Sequence, residues 1–415
     1  MAYETPPQAS SYSHYEPVLQ AIERQWDESL VQPGRASAKG LRNRIMHVGR
    51  IALPNACEPP NDAYFAGTQW YHDSPYTIAG LVTSENPERL KIAKGMVDNL
   101  CYLFDKMGII PARNSWTSIG RTQPPSLSQM AFDVYDHDGA DDTWLDSVME
   151  HTQREYQTVW MSGRRFDDAT GLSYYNPSYF SRRLTTFESG WDISSRFAEL
   201  GNTVAPVDLH CRLGGYERDF LRHATMRGDT KAQARWQLAI EQRIALLNEN
   251  FWDPESGFYY DRSLKTGRLL PLKTLAGYYP LLFKLATSEQ AEQCRQSLPF
   301  FEQPGGLANT EPLPYKGWQW DYPNGWPGTN YDTTIALRRN GFSEDADRLT
   351  YKWLDSTLRI FIETGDLWEK NDVVRQKPGL PGRYPTQKRF GSGWTGGVFM
   401  RLINDLEEIR SGGIA

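Results

Sequence analysis

Wherever a period can be read along this 415-residue chain it is 3.6 residues, and the strict alternation of apolar and polar positions that a sheet requires is scarce. Asn86 reads as an N-cap with Pro87 at the first helical position; Leu90, Ala93, Val97, Leu100 and Phe104 then form one stripe that Gly108 ends. A second stripe runs Trp236, Ile240, Ile244, Leu247 and Phe251, closed by Pro254 and Gly257. Further helices are expected from Ser343 to Gly365 and over Asp141 to Trp160. Long loops rich in Pro, Gly and aromatics lie between them. The chain is therefore expected to be all-α, with room for about twelve helices at roughly 35 residues per helix and connection. Periodicity alone does not arrange those helices, and no fixed-period repeat marks a solenoid.

Composition narrows the partners. No interior stretch has linker composition, and the turn-rich segments near 54–62 and 302–328 are full of aromatics, so one domain over 16–410 is expected behind a flexible tail over 1–15. The net charge of -6 and the lack of a basic stripe argue against nucleic acid as a partner. No apolar run approaches the roughly 20 residues of a membrane span, so no membrane partner is expected. The N-terminus lacks signal-peptide regions, which sets a cytoplasmic expectation. Cys57, Cys101, Cys211 and Cys294 are far apart and read as reduced structural thiols. Oligomeric state is not legible.

The chemistry concentrates in three segments. Glu188 to Arg196 sets Asp192 beside Trp191 and Gly190, where water can be excluded and a carboxylic acid can stay protonated near neutral pH. Gln319 to Trp326 reads Gln-Trp-Asp-Tyr-Pro-Asn-Gly-Trp, and Leu367 to Asp372 carries a second carboxylate, Glu369. Two distant carboxylates among tryptophans suggest glycoside hydrolysis, because ring faces stack on a sugar while planar polar groups meet its hydroxyls. Asp192 also fits an N-cap for a helix through Arg196 to Leu200, and Glu369 also fits a solvated carboxylate paired with Lys370 or Arg375.

With these segments in this order, the chain resembles the trehalases of glycoside hydrolase family 37 and, more distantly, the family 63 α-glycosidases. Arg121-Thr122-Gln123-Pro124-Pro125, Asp73-Ser74 with Gly80-Leu81, and Phe390 through Gly393-Trp394-Thr395 to Gly397 extend the likeness across roughly residues 50–405. The resemblance implies an (α/α)6 toroid, no cofactor, no metal and a small carbohydrate substrate. It also implies an inverting mechanism, with Asp192 as general acid and Glu369 as general base about 6.5 to 9.5 Å apart. Asp73 and Arg121 would grip the sugar hydroxyls, Gln123 and Asn114 would assist, and Gly190 and Asn324 would belong to the site. Trp70, Trp320, Trp326 and Trp394 would wall it.

The pattern also breaks. Phe65 and Ala66 stand where trehalases carry Arg-Phe, His72 stands at a Trp and Pro75 at a Tyr, so part of the sugar cage is altered. Arg383 replaces a Glu, with Lys388 and Arg389 close by, which would suit an acidic aglycone. Trehalose is the expected substrate; glucosylglycerate or mannosylglycerate is the alternative, and a non-hydrolytic sugar-binding descendant of the fold is the rival from another class. The seven His residues form no metal box; the acidic run Asp136 to Asp142 reads as a solvated loop capping the next helix, with a Ca²⁺ site as its alternative.

Overall fold

The structure is a computed structural model that describes residues 12–34, 49–60, 67–139, 141–177, 185–197, 203–314, 316–382, 386, 388–391 and 393–411. Its helices are α1 (Glu16–Ser29), α2 (Ser74–Leu81), α3 (Pro87–Met107), α4 (Leu127–Asp138), α5 (Asp142–Glu155), α6 (Thr185–Glu188) and α7 (Val207–Met226). They continue as α8 (Thr230–Asn250), α9 (Tyr279–Leu282), α10 (Ser288–Arg295), α11 (Pro327–Arg339), α12 (Ser343–Thr364) and α13 (Trp394–Arg410). The helix α2 packs on α4, α4 on α7, α7 on α9, α9 on α11, α11 on α13, and α13 returns to α2. Between these in sequence come α1, α3, α5, α8, α10 and α12 on the outside. This alternation is the (α/α)6 toroid.

Burial explains which helix goes where. Every residue of α2 is buried, as expected of a helix surrounded by protein, whereas α12 buries one stripe that includes Leu349, Trp353, Leu354 and Ile360. The caps read from sequence are present. Asn86 accepts from Glu88 N–H at 3.0 Å, and Gly108 and Gly365 close their helices with φ of 67° and 71°. Asp141 caps α5 by accepting from Trp144 N–H, and α5 runs on from Glu155 into one π-turn, Tyr156–Trp160. In the same acidic run Asp136 pairs with Arg222, and the described residues hold no group of three metal-ligating side chains.

The ring closes where its first and last inner helices touch. A Cβ on Gly80 would collide with Gly397 Cα, so these backbones meet only because both residues lack one. Within the stretch 1–15 expected as a tail, Tyr12–Tyr15 form a 3-10 turn, Tyr15 is buried, and its hydroxyl donates to Asp355 at 2.6 Å. Residues 1–11 lie outside the described residues. No described helix is long and apolar enough to cross a membrane.

Candidate active site

One cavity of about 60 Å³ opens at the N-terminal ends of the inner helices. Trp70, His72 and Asp73 reach it from just before α2, Gln123 from before α4, Gly190 and Asp192 from before α7, Trp320 and Trp326 from before α11. Phe390 and Trp394 reach it at the start of α13, and Glu369 from the segment between α12 and α13. The loops at this end carry the lining side chains, and the ring holds them in register.

The acid segment is fixed by its neighbours. Glu188 is fully buried; its carboxylate pairs with Arg165 and accepts from Thr122 N–H at 3.0 Å and Asn176 N–H at 2.7 Å, tying the Arg121–Gln123 loop to this one. Gly190 has φ 77°, and a Cβ there would meet the His72 ring at 2.7 Å, so glycine is required twice over. Ile193 has φ 61°, a conformation that costs a β-branched residue about 1–3 kcal/mol and that turns the chain immediately after Asp192. The described residues after Asp192 form a turn and not the helix expected to be capped by it: Asp321 accepts from Ser195 N–H at 3.0 Å, and the Ser194 hydroxyl accepts from Arg196 N–H at 3.2 Å. Leu200 lies outside the described residues. Asp192 is thereby left to face the cavity.

Burial acts on two of the three carboxyl groups there. Burial pushes Asp192 well above the usual carboxylate range, opposed by Arg121 and reinforced by Asp73 and Glu369. Burial also raises Asp73 to about 7, with the Glu369 charge adding to it. Glu369 is 2% exposed, so it is no solvated surface group; Lys370 Nζ donates to its Oε1, while Arg375 pairs with Asp372 at 3.0 Å.

The walls are aromatic. Trp320 stacks on Trp326 at 4.1 Å and on Trp191 at 5.3 Å, and Trp394 meets both Trp320 and Trp326 edge-on. Trp70 lies beneath Arg113 and donates from its indole to Thr68 at 3.0 Å. Behind this lining, Tyr76 meets the His72 and Trp394 rings edge-on, and Asp332 accepts from the Tyr76 and Tyr279 hydroxyls, each at 2.7 Å, and pairs with Arg212.

Several sequence expectations need correction. Asn114 is buried away from the cavity, its amide donating to Ile51 O and its carbonyl accepting from Gln69 N–H; Asn324 is likewise spent on Gln319 O and Leu380 N–H. Neither lines the cavity. Arg121 sits behind Asp192, over Phe187, and not among the lining residues. Arg383, Phe65 and Ala66 lie outside the described residues. Lys388 pairs with Asp366 and Arg389 with Glu28. His72, Phe390 and Pro60 line the cavity without having been counted as site residues. The His72 mismatch was the one local signal.

The comparisons agree with this geometry. A family profile described as Trehalase matches residues 67–186 and 176–407. Among curated proteins, the periplasmic trehalase of Salmonella typhimurium is 27% identical over 384 residues, covering 81% of this chain and 66% of that protein. The chain thus spans just under two thirds of that relative's length. Among solved structures, neutral trehalase Nth1 from Saccharomyces cerevisiae superposes with a TM-score of 0.75 at 24% identity, covering 84% of this chain and 73% of that one. The family 63 mannosylglycerate hydrolase of Thermus thermophilus gives 0.63 at 17%, covering 93% and 98%. The cytoplasmic expectation does not survive, because the matched relatives are named periplasmic trehalases. The reading of the four cysteines as unpaired structural thiols holds, since all are free and buried. A ring of six helical hairpins, an aromatic cavity holding Asp192 and Glu369, and a profile match across nearly the whole described chain lead to one statement: the chain belongs to the trehalase family.

Proposed function

We propose that this protein is an inverting α-glycoside hydrolase that cleaves trehalose, with Asp192 as general acid and Glu369 as general base. What carries the reading is that both carboxyl groups line the same small aromatic cavity, and burial holds one of them protonated. Asp192 donates its proton to the glycosidic oxygen as the bond to the anomeric carbon breaks. Glu369 accepts a proton from the water that attacks that carbon from the opposite face. The proton balance closes when Asp192 regains a proton from solvent and Glu369 releases one. Arg121 behind Asp192 steadies the carboxylate as it forms. Asp73 accepts from sugar hydroxyls, and the indoles exclude water so that these charges act at low dielectric. Trehalose is favoured over glycosylglycerates by the family match; of the cations expected near an acidic aglycone, Lys388 and Arg389 are paired with Asp366 and Glu28, and Arg383 lies outside the described residues.

The test is NMR of freshly released sugar from α,α-trehalose. Inversion gives one β-glucose and one α-glucose per turnover, and Asp192→Asn and Glu369→Gln each lower kcat by about 10²–10⁴-fold. Release of α-glucose alone would remove Glu369 as a base. Turnover of mannosylglycerate or glucosylglycerate with none of trehalose would replace the substrate.

A further inference from the structure

A base that must stay charged is buried beside two carboxyl groups, of which Asp73 opposes its charge whenever it is ionised and Asp192 does so once it has given up its proton. Asp73 and Asp192 line the same cavity as Glu369, and each is electrostatically coupled to it. Water cannot compensate, because Glu369 is 2% exposed. The cation that answers this is its neighbour in sequence, Lys370.

Lys370 is fully buried and is held from three sides. Its Nζ donates to Glu369 Oε1 and lies 5.0 Å from the centre of the Trp326 ring, whose stack on Trp320 continues the cavity wall. Its carbonyl accepts from Gly379 N–H at 2.9 Å, and a Cβ on Gly379 would strike Lys370 Cγ at 2.6 Å, so that glycine leaves the space the lysine stem occupies. The following residues Asn371–Asp372 pair antiparallel with Asn324–Gly325, which fixes this segment to the loop carrying Trp320 and Trp326. A buried ammonium that only filled space would be replaced at a gain by an apolar side chain; bonded to a carboxylate, it lowers the free energy of the charged form.

We propose that Lys370 is the positioning residue of the catalytic base: its ammonium keeps Glu369 ionised and aimed into the cavity while Asp192 and Asp73 crowd it. The inference rests on Glu369 being the base. Charged groups facing the pair are Asp73 from the start of α2, and Asp192 with Arg121 behind it from the loops before α7 and α4. The neighbouring pairs Arg375–Asp372 and Lys388–Asp366 are separate from it.

The experiment is the pH profile of kcat/KM on trehalose for wild type, Lys370→Met, Lys370→Arg and Glu369→Gln, with folding checked by circular dichroism. The apparent limbs belong to the coupled carboxyl groups, and removing a cation bonded to Glu369 moves the acidic limb the most. Lys370→Met is expected to move the acidic limb upward by about one pH unit and to lower activity about tenfold or more below it, with Lys370→Arg restoring the limb. A folded Lys370→Met enzyme that loses activity equally at every pH, its acidic limb unmoved, would reduce Lys370 to packing. If Glu369→Gln keeps wild-type activity, the base assignment falls and this inference falls with it. If Glu369→Gln is inactive while Lys370→Met keeps the wild-type limb, only the role of Lys370 is lost.

Discussion

The two ends of the inner ring use the same residue types to opposite ends. At the N-terminal end, Asp192 and Asp73 face a tight aromatic cavity, and burial raises both. At the C-terminal end, a cavity of about 440 Å³ is lined by Asp136, Asp219, Asp405, Arg218, Arg222, Arg339, Arg401 and Lys284. There Arg222 pairs with Asp136 and Arg401 with Asp405, while Arg218, Arg339 and Lys284 donate to the carbonyls of Lys284, Leu282 and Arg339. Burial raises Asp133, Asp219 and Asp405 at this end as well, but here arginines oppose the rise at each of them, in keeping with the pull of helix carbonyl ends on cations. The lesson is that ionisable groups become chemistry where the fold withholds their partners, and become structure where it supplies them.

Removing an anchor at each end is the largest test of that contrast. Asp321→Ala should free the backbone that aims Asp192 and lower kcat by about 10²-fold with little change in KM, since roughly 1 Å of misplacement can cost that much. Asp405→Ala, which breaks a buried pair at the other end, should cost about 3 kcal/mol of stability and leave kcat within about twofold. Equal kinetic losses would erase the distinction.

A smaller effect is expected in stability against pH. A carboxyl group whose folded pKa is raised binds its proton more tightly when folded, so stability falls as pH rises from the unfolded value near 4 through the folded one. For Asp73, at about 7, the loss is complete above neutrality; for Asp219, raised to about 6 by burial, it ends sooner and is smaller. Denaturant titrations from pH 4 to 8 should show Asp73→Asn flattening this decline more than Asp219→Asn, by about 1.4 kcal/mol for each tenfold difference in proton affinity between the folded and unfolded chain. The reverse order would mean that the catalytic end is the better solvated. The smallest effect belongs to Gly397→Ala at the ring seam, expected to cost about 1–3 kcal/mol of stability by overpacking while the pH profile of activity stays unchanged.

Much of this was legible in the sequence, for identifiable reasons. Caps such as Asn86 and Gly108 announce themselves because local backbone chemistry decides them, and the stripes on α3 and α8 follow from one-sided burial. Asp192 and Glu369 were legible as carboxylates among indoles. Asn114 and Asn324 were not, because an amide serves a sugar or a backbone carbonyl equally well and only the folded partner decides. The wiring through Glu188 and Asp321 was hidden for another reason: it joins loops far apart in sequence, with Ser195 and Asp321 126 residues apart. The resemblance supplied the toroid, which periodicity did not.

The glycine contact between α2 and α13 has a consequence for synthesis. Because the last helix completes the circle, a ribosome must release nearly the whole chain before the first hairpin gains its second flank; Gln25 waits 366 residues for Gly391, and Tyr15 waits 340 for Asp355. Until then the apolar flank of α2 stands open to water, so the interval between the emergence of α2 and that of α13 is when this protein is expected to be most exposed to aggregation and most in need of a chaperone.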